Sequence, residues 1–417
     1  MAGDFSELNL TMEALAPTCL NFVLGKFDGR APFCHIPDVR SPSQLEIENV
    51  KLNRTATLTS CAVGASLMLG ASMLMLSKAQ GAQEFALGTI AADTAVGRES
   101  EPGCGNPSDI HDGWMIGAPE QQGFDRALLC AMGQGVMDGK LANVDSIVVV
   151  RHGVLVYERY FGYPNRQSFA ANMRHTGNSM TKSIVSLLVG IAIDRGLIKD
   201  IDAPVASYFP ENAALGAPDK DRVTLRNLLT MSAGLNSSRA PGTSFAYDDR
   251  ETDLVGAILQ KVSGKAVDVL AQENIFAPLG IDDVAWGARR GDGTPRSSSG
   301  LSVRPRDWAK IGQLVLNRGV WEGKQIVPAS WIAQSTSEQI KTPEPLSYGF
   351  QWWLGRSLTN DRVIEWVAAM GFNSQKTIIL SQLDTVVVFN ASRQSKNMVA
   401  PEIDLLNNYI LPAIVTQ

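Results

Sequence analysis

The chain has 417 residues, of which 45% are hydrophobic and 19% are charged, and its formal net charge is −5 at pH 7. This length accommodates one large domain or two ordinary ones, and the composition is typical of a globular protein. A nucleic-acid partner is not expected, because the chain has neither a positive balance nor a Lys/Arg cluster. No repeat with a period of roughly 20–50 residues occurs, which argues against a solenoid.

The first feature along the chain is an uncharged run at positions 55–77 that is rich in Ala, Leu and Met. Lys51 and Arg54 precede it, and Ala79-Gln80-Gly81 follows it as a small-x-small pattern. This order of charge, apolar run and small residues predicts a secretory signal peptide over 50–82. Residues 1–49 are then an uncertain extension, and one explanation is a start-site artefact.

The run at 55–77 also supports other interpretations. Its length is close to the roughly 20 residues that span a bilayer, so an uncleaved signal anchor is the main alternative, and a buried helix is a further one. Cleavage predicts a periplasmic or secreted protein, whereas retention of the run predicts a membrane-anchored one. A membrane is therefore an expected partner only if this run is uncleaved.

The next segment, 83–113, is rich in Gly, Ala, Pro, Asp and Ser, and this composition predicts a linker or irregular arm. Of the five cysteines, only Cys104 and Cys130 follow the apolar run. An oxidising compartment permits a disulfide between them, and two buried free thiols are an equal alternative. The histidines and cysteines show no zinc spacing, so no metal or cofactor is predicted.

Hydrophobic periodicity predicts the elements of the remaining domain, 114–417. A helix is predicted first, and two β-rich runs around His152-Gly153 then predict a hairpin with His152 in its turn. A mostly helical stretch, three further strands and a terminal helix follow. In chain order, the predicted segments are 124–137, 146–151, 154–160, 179–331, 363–367, 376–380, 385–389 and 402–414.

These elements predict an α+β fold in which an antiparallel sheet is flanked by terminal helices. The sheet has two strands before the helical stretch and about three after it. The mostly helical part, roughly 179–335, forms a subdomain of its own. A cleft is therefore expected between the sheet and the helical subdomain.

The motif with the most chemical content is the Ser-x-x-Lys tetrad that begins at Ser179. An apolar helical run follows at once, and residues three apart share one face of a helix. Lys182 is therefore expected within reach of the Ser179 hydroxyl. A serine hydroxyl becomes nucleophilic when a neighbouring base takes its proton. The tetrad alone is a weak signal, because the spacing is common.

Two further segments, 241–249 and 369–375, stand in the order and at the spacing of known partners of this tetrad. With them, the chain resembles the serine β-lactamase and penicillin-binding-protein superfamily, and within it the esterase and 6-aminohexanoate-dimer hydrolase branch. The resemblance runs from about Ile116 to about Pro412. It implies a β-lactamase/transpeptidase-like fold and a serine hydrolase without a cofactor, acting on a small-molecule substrate.

The resemblance also implies roles for particular residues. Ser179 matches the nucleophile, Lys182 the lysine of the first motif, and Tyr247 the tyrosine of the Tyr-x-Asn motif. The backbone N–H groups of Ser179 and Phe372 match an oxyanion hole. The presence of Ser179, Lys182 and Tyr247 argues against a catalytically inactive sensor protein. Asp249, Gly371, Asn373 and Trp353 are the predicted substrate contacts, although packing is the expected role for most of the tryptophans around Trp353.

Departures from the family pattern bear on the substrate. Ala369 and Met370 stand where relatives carry Lys-Thr, a pair that helps to bind the carboxylate of penicillin-type substrates. Asp249 stands where relatives often have Asn, and an anion close to Lys182 favours its charged form. The sequence thus predicts cleavage of small esters or linear amides through an acyl-enzyme on Ser179. The alternative is a penicillin-interactive enzyme, either a weak β-lactamase or a D-Ala-D-Ala carboxypeptidase.

Overall fold

The computed structural model describes residues 104–141, 144–162, 168–212, 221–235, 239–287, 289–291, 293–359, 362–392 and 402–415. The chain divides into the units Met1–Asp93 and Thr94–Gln417, and all described residues lie in the second. Three predicted segments lie outside the described residues: the extension at 1–49, the signal segment at 50–82 and the arm up to position 103. In the part described, no helix is long and apolar enough to cross a membrane.

Fourteen strands form in the described ranges. They are β1 Met115–Ile116, β2 Ser146–Arg151, β3 Val154–Tyr160, β4 His175–Thr176, β5 Ala285–Trp286, β6 Leu301–Val303, β7 Val320–Trp321, β8 Lys324–Gln325, β9 Ile340–Lys341, β10 Ser347–Tyr348, β11 Trp353–Thr359, β12 Arg362–Gly371, β13 Gln375–Leu380 and β14 Thr385–Asn390. Nine of them form one sheet in the order β1-β3-β2-β14-β13-β12-β11-β10-β9. All neighbours in it are antiparallel except β1 and β3. A small sheet, β4-β6-β5, lies outside it.

The α-helices of the same ranges are α1 Arg126–Met137, α2 Thr181–Asp194, α3 Leu225–Leu229, α4 Asp249–Ser263, α5 Val267–Ala271, α6 Pro305–Leu316, α7 Ala329–Ser335, α8 Glu402–Leu405 and α9 Leu411–Ala413. A π-helical turn, Leu406–Ile410, joins α8 to α9. Local signals set the bounds of α4. The Asp248 side chain accepts a hydrogen bond from the Arg250 N–H at its start, and Gly264 ends it with a positive φ of 73°.

The large sheet is buried on both faces, and alternate residues of one strand pack into different cores. Val148 and Val150 of β2 face the core that contains α2 and most other helices. Ile147 and Val149 face the second core, which α1 and the terminal helices α8 and α9 cover. This arrangement explains why β2 is a continuous apolar run rather than an alternating one.

The predicted α+β class is confirmed, and so are the first helix, the hairpin, the last three strands and the terminal helix. His152 lies in the hairpin turn with a φ of 53°, as predicted. The strand count was too low, because the sheet has nine strands in the described ranges. Strands β1, β9 and β10 have two residues each, too few for a pattern, and β11 contains Gly355 and Arg356, which interrupt its apolar alternation.

Residues 104–113 of the predicted arm are bound to the domain. Cys104 and Cys130 form a disulfide, with their Cα atoms 5.5 Å apart. The fully buried Arg306 side chain donates to Glu158 Oε2 at 2.7 Å, to Asp112 Oδ1 at 3.2 Å and to the Ser108 carbonyl at 2.6 Å. These contacts tie the segment before β1 to β3 and α6.

Candidate active site

Ser179 lies in a short 3-10 turn, Asn178–Met180, between β4 and α2. Asn178 has a positive φ of 49°, and its carbonyl accepts a hydrogen bond from the Thr181 hydroxyl at 2.6 Å. The Gly177 N–H donates to the Leu301 carbonyl of β6 at 2.8 Å. The small sheet and α2 therefore hold the turn from both sides, and the half-buried Ser179 side chain remains accessible.

Lys182 is one turn along from Ser179, and its side chain is only 2% exposed. Its Nζ atom lies 3.2 Å from Ser179 Oγ, 2.6 Å from Asp249 Oδ1 and 2.8 Å from the Ser298 carbonyl oxygen. A protonated lysine has three N–H donors and no acceptor. The geometry therefore fits an ammonium group that donates to all three oxygens in the resting state.

Tyr247 lies on the other side of Lys182, with the Lys182 Nζ atom 4.9 Å from the centroid of its ring. The ring stacks on Trp353 at 5.9 Å, and Phe245 and Tyr348 complete an aromatic cluster around Trp353. Tyr247 is 37% exposed, whereas Trp353 is 3% exposed. Trp353 thus supports Tyr247 from behind. In the described ranges, no hydrogen bond joins the Tyr247 hydroxyl to Ser179 or Lys182.

The end of β12 meets the turn that carries Ser179. The Asn178 side-chain amide donates to the Phe372 carbonyl at 2.8 Å. Gly371 approaches so closely that an added Cβ atom would lie 2.1 Å from the Gly177 carbonyl oxygen. Only glycine permits this approach. Within the part of the chain that the structure describes, the N–H groups of Ser179 and Phe372 donate to no protein group.

The residues around this junction take different positions. Asn373 has a positive φ of 60° in the turn after β12, and its buried Oδ1 atom has no hydrogen-bond partner in the described ranges. Ala369 and Met370 are both buried, in the first and the second core respectively. The Phe372 side chain, in contrast, is 57% exposed. On this side the Ser179 turn is therefore bordered by backbone and by Phe372.

Glu251 is a buried carboxyl close to the site, 1% exposed, that the sequence did not single out. It accepts a hydrogen bond from the Ala233 N–H at 3.2 Å. Burial raises the pKa of Glu251 to about 8, because desolvation outweighs its backbone donors. The neighbouring Met231 carbonyl accepts from the Ala246 N–H at 2.7 Å. Glu251 therefore holds the segment 231–233, and this segment in turn binds Ala246, the residue before Tyr247.

Gln351 is a second buried residue that connects the site, and it too was not singled out from the sequence. Its side-chain oxygen accepts from the Thr252 hydroxyl of α4 at 2.8 Å. Its carbonyl accepts from the Ser183 hydroxyl of α2 at 2.8 Å. The residue adopts a φ of 65°. The positive φ and the two contacts fix the helix that carries Lys182 relative to the helix that begins at Asp249.

The structure thus brings Ser179, Lys182, Asp249 and Tyr247 together and places Gly371 and Phe372 beside them. A polar residue between aromatic ones, as in Phe350-Gln351-Trp352, is a signal that would have identified Gln351. The contact of Lys182 with the Ser298 carbonyl has no such signal, because every residue has a backbone carbonyl. Among the described residues, no group of three or more His, Cys, Asp or Glu side chains is placed to hold a metal ion.

The sequence around these residues matches a known protein family. The family model named Beta-lactamase matches residues 134–408, which include the Ser179 turn and the end of β12. The chain belongs to the β-lactamase family. Membership supports the assignment of this protein as a serine hydrolase, and it confirms the expected β-lactamase/transpeptidase-like fold.

Individual relatives agree with the family assignment. The chain is 26% identical over 294 residues to the 6-aminohexanoate-dimer hydrolase of Paenarthrobacter ureafaciens, covering 58% of this chain and 71% of the relative. A solved family VIII carboxylesterase superposes with a TM-score of 0.56 at 17% identity, covering 68% of this chain and 96% of that one. The octameric penicillin-binding protein homologue from Pyrococcus abyssi gives a TM-score of 0.53 at 18% identity, over 67% and 76% of the two chains.

Proposed function

We propose that this β-lactamase-family protein hydrolyses small esters or linear amides through an acyl-enzyme on Ser179. One observation carries the proposal: Lys182 Nζ lies 3.2 Å from Ser179 Oγ and 4.9 Å from the centroid of the Tyr247 ring. A nucleophile with a basic group at hydrogen-bond distance is the geometric signature of covalent catalysis. The similarity to a 6-aminohexanoate-dimer hydrolase and to a carboxylesterase supports this substrate class.

The proposed first step is attack of Ser179 Oγ on the ester or amide carbonyl carbon. The Ser179 proton passes to the pair formed by Lys182 and Tyr247 and then to the leaving alcohol or amine. The C–O or C–N bond breaks, and the acyl group remains on Ser179. Water attacks the acyl-enzyme in the second step, loses its proton to the same pair, and releases the acid while the proton returns to Ser179.

Lys182 needs to release a proton before it accepts one from Ser179, because an ammonium group has no lone pair. Asp249 Oδ1, 2.6 Å away, is the nearest acceptor, and the Asp249 side chain is 54% exposed. It is therefore able to pass that proton to water. The phenol of Tyr247 is the second group of the pair, since hydrogen bonds that are long in an unliganded enzyme often shorten when substrate binds.

The N–H groups of Ser179 and Phe372 are assigned as the donors that bind the carbonyl oxygen of the substrate. The hydrogen bond from the Asn178 side chain to the Phe372 carbonyl supports this role, because it fixes the Phe372 peptide next to the Ser179 turn. Preorganised donors of this kind contribute about 3 kcal/mol each to transition-state stabilisation. Gly371, where a Cβ atom would clash with the Gly177 carbonyl, permits the two peptides to approach.

A panel of three substrates tests the proposal against the penicillin-interactive alternative. The measured quantities are kcat/KM for p-nitrophenyl butyrate, for a 6-aminohexanoate dimer and for nitrocefin. We expect the ester or the dimer to exceed nitrocefin, because no cation occupies positions 369 and 370. A larger kcat/KM for nitrocefin would reject this proposal in favour of a weak β-lactamase or peptidase.

We also propose that the protein is exported and that its mature chain begins near Ala82. The signal-like segment 50–82 carries this proposal, and the disulfide between Cys104 and Cys130 supports it, because disulfides persist in oxidising compartments. N-terminal sequencing of periplasmic or secreted protein tests it. A mature chain that retains 55–77 and fractionates with membranes would favour the anchor instead.

A further inference from the structure

Asp249 occupies a position in the site that distinguishes it from an ordinary surface acid. It is the first residue of α4, and only one of its carboxylate oxygens bonds to Lys182. Within the described ranges, the other oxygen, Oδ2, has no partner. The side chain is 54% exposed, whereas that of Lys182 is 2% exposed. The carboxylate therefore lies between the buried ammonium group and solvent.

The distances place this charge close to the reacting atoms. Lys182 Nζ is 3.2 Å from Ser179 Oγ and 2.6 Å from Asp249 Oδ1, so the carboxylate lies within about 6 Å of the nucleophile. An acyl group attached to Ser179 is then bonded to an atom that lies within about 6 Å of the Asp249 carboxylate. At this separation, charges in a partly buried site interact appreciably.

The charges around Ser179 also lack a net positive balance. Asp249 neutralises Lys182, and Arg250 is paired with Asp248 at 2.5 Å. Ala369 and Met370 add no charge. An asparagine at position 249 would leave one uncompensated positive charge beside the nucleophile. The carboxylate therefore removes the electrostatic attraction that a buried ammonium group would otherwise exert on an anionic substrate.

We propose that Asp249 sets the charge selectivity of the site around Ser179, so that the enzyme discriminates against acyl groups that carry a carboxylate and accepts neutral ones. This inference rests on the proposed function, since it concerns the substrate class of the same site. Asp249 has two effects in this account. Its carboxylate accepts a hydrogen bond from Lys182 with one oxygen, and it presents negative charge to the substrate with the other.

The test compares two esters of equal length, p-nitrophenyl hexanoate and mono-p-nitrophenyl adipate, which differ in a terminal methyl or carboxylate. The measured quantity is the ratio of their kcat/KM values at low ionic strength for the wild type and Asp249→Asn. A change in proton transfer alters both substrates alike and cancels in the ratio. We expect the substitution to lower the neutral-over-anionic ratio by about tenfold, the size of one moderate charge interaction.

Asp248→Asn is the matched control, because it removes one negative charge from the neighbouring residue. The Asp248 carboxylate is already paired with Arg250, and Asn is an equally good residue at the start of a helix. We expect the ratio to change by less than about twofold in this variant. An equal change in both variants would overturn the proposal, as would an unchanged ratio in Asp249→Asn.

A measurement on the wild type keeps the proposal testable if Asp249→Asn does not fold. Added salt screens charges in open sites. It is expected to raise kcat/KM for the adipate ester and to leave the value for the hexanoate ester unchanged. Equal responses of the two esters would overturn the proposal. No turnover of the hexanoate ester by the wild type would instead reject the proposed hydrolase function itself.

Discussion

Two buried cations of this molecule have different surroundings. In the described part of the chain, Lys182 and Arg306 are both nearly inaccessible, with side chains 2% and 0% exposed. Arg306 donates to Glu158 and Asp112, which are 8% and 1% exposed, so that the whole cluster is enclosed. Lys182 instead bonds to Asp249, which is 54% exposed, and to the Ser179 hydroxyl.

This difference separates a structural charge cluster, around Arg306, from the one proposed to be reactive, around Lys182. Burying a charge is costly unless it is paired and hydrogen-bonded, and the Arg306 cluster meets that condition entirely within the protein. It holds residues 108–112 against β3 and α6. The Lys182 group meets the condition with the Ser298 carbonyl, with a solvated carboxylate and with the hydroxyl of the proposed nucleophile. Its protons can therefore be exchanged, which acyl transfer requires.

The largest expected effect comes from removing the hydroxyl of Ser179, the proposed nucleophile beside Lys182. We expect Ser179→Ala to lower kcat for ester hydrolysis by on the order of 10⁶-fold, because the proposed mechanism offers no other group to form the acyl-enzyme. The far-ultraviolet circular dichroism spectrum and the melting temperature should remain those of the wild type. Ester turnover near the wild-type rate would remove Ser179 from the mechanism.

The next effect concerns the two groups proposed to share proton transfer. We expect Lys182→Ala and Tyr247→Phe each to lower kcat by about 10³-fold or more, and the double variant to be little worse than the poorer single one. Residues that act as a unit show such non-additivity. Steady-state kinetics of the four enzymes measures it. Multiplicative losses would show that the two residues act in independent steps.

A matched pair of substitutions tests the two cations directly. Arg306→Met removes the cation that is bonded to two buried carboxylates, Glu158 and Asp112, and is expected to cost about 3–5 kcal/mol of unfolding free energy. Lys182→Met leaves Asp249 with access to water and is expected to cost less than about 1 kcal/mol, while abolishing activity. Urea denaturation and ester turnover measure both properties. Equal losses of stability in the two variants would contradict the distinction.

The smallest effect is a pH dependence of stability from Glu251. Burial raises the folded-state pKa of Glu251 to about 8 from its ordinary value of 4.5, so the folded protein holds more protons than the unfolded chain between these values. The contribution of Glu251 to stability is therefore present at low pH and is lost as pH rises to about 8. Glu251→Gln should raise the melting temperature relative to the wild type at pH 9 more than at pH 6. Parallel pH curves of the two proteins would contradict this account.

Much of the sheet was predictable from residue type. The Val- and Ile-rich runs of β2, β13 and β14 read as strands because both of their faces are buried. Strand β11 was missed, because Gly355 and Arg356 break its pattern and its position depends on seven residue pairs with β12. Such pairing is a tertiary effect that a local pattern does not report.

The candidate site likewise contains some features that the sequence indicates and others that it does not. The proximity of Ser179, Lys182 and Tyr247 was predictable, because the proposed chemistry requires particular side chains at recognisable spacings. The Ser298 carbonyl and the bond from Asn178 to the Phe372 carbonyl were not, since backbone acceptors carry no residue-specific signal. The sequence suggested that Asp249 would affect Lys182 if the two were close. The separation of 2.6 Å supplies that condition.

Trapping the acyl-enzyme tests the central claim most directly. The enzyme is mixed with p-nitrophenyl butyrate, quenched in acid within the first turnovers, digested and analysed by mass spectrometry. We expect a butyryl adduct on Ser179 in the wild type and none in Ser179→Ala. Turnover of the ester without an adduct, or an adduct on a different residue, would contradict covalent catalysis by Ser179.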